Sequence, residues 1–292
     1  MVNRHVWCGL LLILAGLLFA ATGHAQETLK AGICNSFFTD IPDGKAKGSI
    51  KQFEDYLRGQ TEQQGEFVKI KDPIELADRM GRGDLHLGVF HGYEFAWAMK
   101  RDPKLKILVL AVNDKIGIHA HIYVNKDSKI ASFADLKGKS LAIPEYTRAF
   151  CKFYLARTCE KNGTTVDNYF GKVTRPQSVE DGLDDVVDGV VDAVICDEVA
   201  AAGFQERKAV RFAKLKKVDE SPAFPTGVIA YHEGSVTERA VDKMYKALKG
   251  AKDNADGKQI LLNWRMTSFE DAPKDFHKLL EETLERYPPP KK

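Results

Sequence analysis

The chain contains 292 residues, of which 44% are hydrophobic and 29% charged, and its formal net charge is +2. This length allows one large domain or two domains of medium size, and the hydrophobic fraction is sufficient for a buried core. The nearly balanced charge argues against a dedicated nucleic-acid-binding surface, which is usually far more basic.

The first 25 residues have the pattern of a secretory signal peptide. Arg4 lies in a short charged region, residues 6–20 form an apolar run, and small residues end at Ala25. The run is shorter than the about 20 residues that a transmembrane helix needs. We therefore expect export, to the periplasm in a bacterium, with cleavage near Ala25. A retained membrane anchor is the alternative.

Strands and helices alternate in the next part of the chain. Ser49 and Gln52 have the spacing of a capping box and Gly59 is a stop signal, which predicts a helix over residues 48–60. Asp72, followed by a proline, predicts the cap of a second helix, and YEFAWAMK predicts a third. Apolar stretches between these helices predict strands near residues 28–34, 66–70, 85–90, 105–112 and 117–124.

The same alternation starts again after a turn in residues 135–139. Strands are predicted over 140–144, 171–175, 192–196, 209–215 and 226–232. Helices are predicted over 147–163, 178–189, 197–207 and 236–248, the last opened by Ser235, followed by two C-terminal helices of which the second covers 273–287. The element order predicts α/β architecture with mixed, mainly parallel sheets flanked by helices.

Two similar stretches, one in each half, indicate where a ligand binds. GDLHLGVFHGYEF and GVVDAVICDEVAA each contain a glycine turn, a buried strand and a polar loop that opens a helix. Ligands bind beyond the carboxyl ends of strands in such sheets. We predict two lobes, with residues 26–118 and 224–292 in lobe one and residues 119–223 in lobe two. The two crossings between the lobes form a hinge.

The chain resembles the type II periplasmic solute-binding proteins, most closely the phosphate/phosphonate-binding branch that serves ABC importers. The stretches GDLHLGVFHGYEFAWA, IYVNKDSKIASFADLKGKSLAIPE and VEDGLDDVVDGVVDAVICDE carry the resemblance. It implies two lobes joined by a two-strand hinge, no cofactor and no catalysis. It also implies a monomer that has a small-molecule solute and an inner-membrane ABC permease as partners.

The chain departs from the pattern of that branch at the expected anion-binding loop. Phosphonate binders typically have a run of small hydroxyl residues and a glycine at the start of the first long helix of lobe two. Here residues 145–148 read Glu-Tyr-Thr-Arg, so Thr147 is the one such hydroxyl kept. A later histidine-bearing loop of the family corresponds here to residues 174–177, which read Thr-Arg-Pro-Gln.

The predicted ligand site combines cationic, hydroxyl, aromatic and acidic side chains at strand ends. A helix start favours anions, Thr147 is placed to cap it, and Arg148 adds a planar cation suited to phosphate or carboxylate. Glu94 and Asp197 either hold an ammonium group or simply occupy favourable first helical turns. Arg175 is a further candidate cation. The predicted ligand-binding residues are Ser36, Phe38, His91, Tyr93, Glu94, Tyr146, Thr147, Arg148 and Asp197.

Two further groups of residues leave alternatives open. His119 and His121 alternate along a strand, so they either ligate zinc or are packed and hydrogen-bonded. Most of the four cysteines Cys34, Cys151, Cys159 and Cys196 are expected to be buried free thiols. A disulfide between Cys151 and Cys196 is the alternative.

We therefore predict a periplasmic solute-binding protein that captures a small anionic or zwitterionic solute by hinge closure. The alternatives are a ligand-sensing module for a signalling partner and, less in keeping with the sequence, a small-molecule enzyme. No GxSxG motif and no nucleophile–base pair is present in the sequence.

Overall fold

The protein is described by a computed structural model that covers residues 28–38, 43–61 and 64–290. The predicted signal peptide, residues 1–25, lies outside these described residues. None of the helices in the described ranges combines the length and apolar character that crossing a bilayer requires.

The strands and helices follow the predicted alternation. The strands are β1 (Leu29–Cys34), β2 (Gly65–Ile70), β3 (Leu87–Phe90), β4 (Leu105–Val112), β5 (Gly117–Ile118), β6 (Ala120–Asn125), β7 (Ser140–Ala142), β8 (Lys172–Thr174), β9 (Ala193–Asp197), β10 (Leu215–Glu220), β11 (Phe224–Pro225), β12 (Gly227–His232) and β13 (Ser268–Glu270). The helices are α1 (Asp43–Thr61), α2 (Pro73–Gly81), α3 (Gly92–Arg101), α4 (Ala149–Lys161), α5 (Val166–Tyr169), α6 (Val179–Val187), α7 (Glu198–Arg207), α8 (Ala209–Phe212), α9 (Glu238–Lys249), α10 (Ala255–Asn263) and α11 (Phe276–Arg286).

The strands form two main sheets, each of which is mixed. The first has six strands in the order β13-β4-β12-β3-β1-β2, with β1 parallel to β2 and β3 and with β12 antiparallel to β3 and β4. The second has five strands in the order β10-β6-β9-β7-β8, with β7 parallel to β8 and β9. Helices flank both sheets, so the predicted fold class is confirmed.

A short antiparallel pair, β5 with β11, lies where the chain passes between the two sheets. Phe224 is opposite Ile118 in this pair, and Pro225 is opposite Gly117. The first sheet is built from strands before β5 and after β11, and the second from strands between them. The exact lobe boundaries stay a prediction.

One helix cap and one central strand agree with the sequence signals that predicted them. The Asp72 carboxylate accepts hydrogen bonds from the backbone N–H groups of Ile74 and Glu75 at 3.0 and 2.9 Å, which confirms the predicted cap of α2. All five residues of β9 are buried, as expected for a central strand covered on both faces.

Local signals placed two helix starts wrongly. Helix α1 begins at Asp43, so Ser49 lies inside the helix and does not cap it, and α1 continues past Gly59 to Thr61. Burial of Ala46 against the apolar cluster that contains Ile33 and Phe38 favours the additional turn. Helix α9 is capped by Thr237, whose hydroxyl accepts from the N–H of Ala240, and not by the predicted Ser235.

One strand was predicted in the wrong place and another was missed. Residues 209–212 form the short helix α8, and the strand predicted there begins only at Leu215. Val210 points into solvent, so the apolar side chains of this stretch do not share one sheet face. Strand β13 has only three residues, which is too short to give a detectable alternation.

The four cysteines in the described residues are unpaired and buried. Cys151 and Cys196 therefore do not form the disulfide that was one alternative. Burial raises the pKa of both thiols well above its usual range, so both remain protonated at neutral pH.

Gly92 gives a test of the contact between α3 and the hinge. A Cβ at this position would lie well inside van der Waals contact of the carbonyl oxygens of Pro225 and Thr226. We expect Gly92→Ala to lower the free energy of unfolding by roughly 1–3 kcal/mol, because the hinge backbone must move. The measurement is urea unfolding followed by circular dichroism.

Gly59→Ala is the matched control, because the space around this helical glycine is open. It is expected to leave stability unchanged or to raise it by about 0.5–1 kcal/mol. Equal effects of the two substitutions would contradict the proposed close contact.

Candidate functional site

A cavity of about 400 Å³ lies between the two sheets and beside the hinge. Residues 36–38 follow β1, and residues 91–93 open α3. On the side of the second sheet, Tyr146 and Arg148 precede α4, and three further lining residues lie in its first turn. Residues 224–227 continue from the hinge into β12, and residues 263–266 lie at the end of α10 and just after it. The cavity is therefore formed by loops of both sheets, as expected for a ligand site between two lobes.

The structure brings six of the nine predicted site residues together around this cavity. The remaining three are buried outside the lining and make contacts within the protein. The six are Ser36, Phe38, His91, Tyr93, Tyr146 and Arg148, and the other three are Glu94, Thr147 and Asp197.

Glu94 and Thr147 have local structural contacts. The Glu94 carboxylate accepts a hydrogen bond from the His91 N–H at 3.1 Å and thereby ties the loop to the first turn of α3. Thr147 donates its hydroxyl hydrogen bond to the carbonyl oxygen of Pro144 at 2.8 Å. The N-cap position of α4 is occupied by Arg148, so the predicted cap by Thr147 is wrong.

Asp197 lies directly behind Arg148. Its carboxylate caps α7 by accepting from the Ala200 N–H at 3.0 Å, and it lies 3.5 Å from the Nε atom of Arg148. This carboxylate is almost fully buried and needs a cationic partner, and Arg148 forms an ion pair with it. The ion pair holds the Arg148 guanidinium at the wall of the cavity.

Arg265 and Arg148 join the loops of the two sheets across the cavity. Arg148 Nη2 donates to the carbonyl oxygen of Arg265 at 3.1 Å, and Arg265 Nη1 donates to the carbonyl oxygen of Tyr146 at 2.6 Å. Tyr146 and Arg265 both have left-handed backbone conformations, with φ of 62° and 55°. Such conformations are uncommon for these residue types, so the surrounding contacts must maintain them.

The electrostatics of this contact favour an anion. Burial and the nearby Arg148 both lower the pKa of Arg265, while Asp197 opposes that shift. An arginine nevertheless stays protonated at neutral pH. Two guanidinium groups with one carboxylate leave an excess positive charge at the cavity wall.

Two helix N-termini add to this positive potential. The first turns of α3 and α4 both contribute lining residues, from Gly92 and Tyr93 in one and from Ala149 and Phe150 in the other. Each helix start carries backbone N–H groups and a partial positive charge. The cavity therefore combines the two usual sources of anion attraction in proteins.

His91 lies in an aromatic stack at the cavity wall. Its ring centroid is 3.8 Å from that of Phe37 and 5.6 Å from that of Tyr93, with nearly parallel planes. Burial lowers the pKa of His91, so its imidazole is neutral at neutral pH. Its Nε2 atom is buried and has no hydrogen-bond partner among the described residues. This nitrogen is therefore available to a ligand.

Sequence reasoning missed several lining residues. Trp264 and Arg265 follow α10, and Arg265 is 117 positions from Arg148 in the sequence. The adjacent tryptophan and arginine in this loop were the one sequence signal for a ligand-binding role. Trp264 lies 6.2 Å from Phe37 between ring centroids. The missed lining residues with aromatic or charged side chains are Phe150, Lys152, Phe224, Trp264 and Arg265.

The predicted histidine pair is not part of this cavity. His121 Nε2 lies 3.2 Å from a Glu220 carboxylate oxygen, and His119 Nδ1 lies 2.7 Å from the Ser221 carbonyl oxygen. Within residues 28–38, 43–61 and 64–290 there is no group of three His, Cys, Asp or Glu side chains placed to hold a metal. The hydrogen-bonded alternative agrees with these contacts. Arg175 also lies away from the cavity, with Nη1 3.4 Å from the Ile143 carbonyl oxygen.

A larger cleft of about 790 Å³ lies on the other side of Tyr146 and Arg265. Its lining contains more carboxylates than cations and is more open to solvent. Negative charges in that number repel an anion, so the smaller cavity is the better candidate site. The acidic lining residues are Asp114, Glu145, Glu180, Asp181 and Glu206.

Comparison with known proteins agrees with this architecture and defines the class. The family described as "ABC transporter, phosphonate, periplasmic substrate-binding protein" matches residues 37–276. The chain belongs to this family of solute-binding proteins, which have a two-lobed type II periplasmic-binding fold. The family consists of transport proteins and is not a class of enzymes. No curated protein matches the chain.

Three solved structures illustrate the shared fold. PhnD1 from Prochlorococcus marinus, in complex with methylphosphonate, is 17% identical with a TM-score of 0.58, over 89% of this chain and 98% of that one. A binding component of an ABC phosphonate transporter from Pseudomonas aeruginosa is 17% identical with a TM-score of 0.56, over 89% and 87%. A Xanthomonas citri protein bound to ATP is 16% identical with a TM-score of 0.58, over 89% and 96%. Identities this low show a common fold alone.

The depressed pKa of His91 predicts a pH dependence of stability. The unfolded chain binds a proton on this imidazole near pH 6.5, whereas the folded protein resists protonation there. By linkage, lowering the pH through about 6.5 destabilises the folded state. As the pH falls from about 8 to about 5, the wild type should therefore lose stability relative to His91→Phe, which has no imidazole to protonate at this position.

Chemical denaturation at several pH values measures this difference. Phenylalanine preserves the stacked ring, and His277→Phe is a control at an exposed position outside the cavity. A difference that is independent of pH would show that His91 is not protected from protonation.

Proposed function

We propose that the protein captures a small phosphate- or phosphonate-like anion in the 400 Å³ cavity and delivers it to an ABC permease in the inner membrane. The observation that carries this proposal is the meeting of Arg148 and Arg265, from loops of different sheets, at the wall of one cavity. Phosphate-type oxygens match the planar, multidentate donor geometry of guanidinium groups.

The arginines replace the hydroxyl-rich loop that is typical of phosphonate binders. Thr147, the one hydroxyl kept at that loop, is turned toward Pro144 and is absent from the cavity lining. The first turns of α3 and α4 supply backbone N–H groups, and His91 supplies a buried ring nitrogen. An anion would thus be bound mainly by charge and by helix N-termini.

Hinge closure is the mechanism that we propose for capture. Chain crossings at β5 and β11 connect the sheets, and both are short. A ligand that contacts Arg148 from one sheet and Arg265 from the other stabilises the closed arrangement and shifts the population toward it. No covalent bond is made or broken.

The same proposal includes the cellular context. The family is periplasmic, and the pattern of residues 1–25 agrees with export by a signal peptide cleaved near Ala25. Lobe one would comprise residues 26–118 and 224–292, and lobe two residues 119–223. We propose that the mature protein acts as a monomer.

Substitution of the two arginines tests the site. We expect Arg148→Gln and Arg265→Gln each to weaken binding of methylphosphonate or inorganic phosphate by about tenfold to a hundredfold. Hydrogen bonds to charged groups contribute about 1.5–3 kcal/mol, and each 1.4 kcal/mol corresponds to about tenfold in affinity. Isothermal titration calorimetry measures the loss.

Arg175→Gln is the control, because Arg175 has the same charge and does not line the cavity. Arg148→Lys keeps a charge opposite the buried Asp197, so its thermal stability separates loss of binding from loss of folding. Unchanged affinity in folded Arg148→Gln and Arg265→Gln proteins would reject this site.

Closure itself can be measured in solution. We expect a bound anion to decrease the radius of gyration measured by small-angle X-ray scattering, because the two lobes approach each other. In Arg265→Gln the radius of gyration should decrease less at the same fraction of anion-bound protein, because one of the two arginines that join the lobes is missing. A radius of gyration that does not change on saturation of the wild type would contradict hinge closure.

A further inference from the structure

The cavity lining carries two kinds of surface. One is the cationic surface formed by Arg148 and Arg265. The other is apolar and more extensive, and it comes from both sides of the cavity. Its members with large side chains are Phe37, Phe38, Ile118, Phe150, Phe224, Trp264 and Met266.

The aromatic side chains are held in place by contacts with one another. Trp264 lies edge-on to Phe38, with ring centroids 6.0 Å apart, and Phe150 lies 5.4 Å from Phe224. Packed rings of this kind form fixed walls and lose little freedom when a ligand binds. They are suited to contact an apolar group attached to the anionic head.

The size of the cavity supports the same conclusion. A volume of about 400 Å³ lies within the roughly 300–1,000 Å³ range of pockets that bind drug-sized ligands. An anion of phosphate size would leave much of this volume hydrated against aromatic walls. A ligand with an apolar body would displace that water and bury apolar surface.

The acidic residues that were predicted to hold an ammonium group do not face the cavity. Glu94 is buried and accepts a hydrogen bond from the His91 N–H. Asp197 is buried, accepts from the Ala200 N–H and forms an ion pair with Arg148. Among the described residues that line the cavity there is no Asp or Glu. An ammonium group placed there would lose hydration without gaining an opposite charge, and it would lie near two guanidinium groups.

We propose, on the basis of the proposed function, that the solute is an organophosphonate-type anion with an apolar alkyl or aryl body and no amine. The head group binds between Arg148 and Arg265, and the body packs against Trp264 and Phe150. The site thereby discriminates against both aminoalkyl phosphonates and free inorganic phosphate.

A matched pair of ligands tests this proposal. Butylphosphonate and 3-aminopropylphosphonate have the same number of heavy atoms and differ in a terminal methyl or ammonium group. We expect butylphosphonate to bind at least tenfold more tightly than 3-aminopropylphosphonate and than inorganic phosphate. Phenylphosphonate should also bind more tightly than methylphosphonate. Calorimetric titration of the full mature protein gives these three comparisons.

Variants of the apolar wall provide a second measurement. Trp264→Leu and Phe150→Ala should remove most of the preference for butylphosphonate over methylphosphonate and change the affinity for methylphosphonate itself by less than about threefold. Leu262→Ala is the control, because Leu262 is near Trp264 in the sequence but is 69% exposed and outside the cavity. Thermal unfolding verifies that each variant is folded.

The outcomes separate this inference from the proposed function. If inorganic phosphate or 3-aminopropylphosphonate binds as tightly as butylphosphonate, with a loss in Arg265→Gln, the anion site stands and the apolar-body proposal is overturned. If no phosphonate and no phosphate binds, the proposed function fails and this inference fails with it. A preference for butylphosphonate that persists in both wall variants also contradicts the inference.

Discussion

The ion pair between Arg148 and the buried Asp197 is the interaction on which the arrangement of the site depends. Asp197 ends the central strand β9 and caps α7, so its position is fixed by the core of the second sheet. A buried carboxylate needs a charged partner, and this requirement keeps Arg148 at the wall of the cavity. Arg148 then contacts Arg265 of the first sheet, which connects the core of one sheet with a surface loop of the other.

The scaffold could be predicted from the sequence because its signals are local. Buried strands and the Asp72 cap are read from a few neighbouring residues, and the order of the predicted elements defines the fold. The residues at the ends of β1 and β3 were found for the same reason, since ligands bind beyond strand carboxyl ends. Arg265 and Trp264 were not found, because they reach the cavity through the tertiary position of the loop after α10. The left-handed backbone of Arg265 has no sequence signal of the kind that glycine provides.

The carboxylates show how one sequence pattern can serve two purposes. An acidic residue just after a buried strand suits an ammonium ligand and suits a helix N-terminus equally well. Glu94 and Asp197 both fulfil the second role, and in Asp197 the carboxylate also compensates an arginine. Sequence alone does not decide between these roles, because the choice depends on which neighbouring cation lies within a few ångströms. The lining of the cavity is consequently more cationic and more apolar than the set of site residues predicted from the sequence.

The close approach of Gly92 to the carbonyl oxygens of Pro225 and Thr226 has a mechanical consequence. The backbone that begins α3, and with it His91 and Tyr93, lies directly against Pro225 and Thr226 in the proposed hinge. Because Gly92 has no side chain between the two backbones, a movement of the hinge backbone would displace the stacked rings of His91 and Tyr93 directly. Substitutions along the hinge would thus change ligand affinity without touching the cavity, because they alter the fraction of molecules that are in the binding-competent conformation.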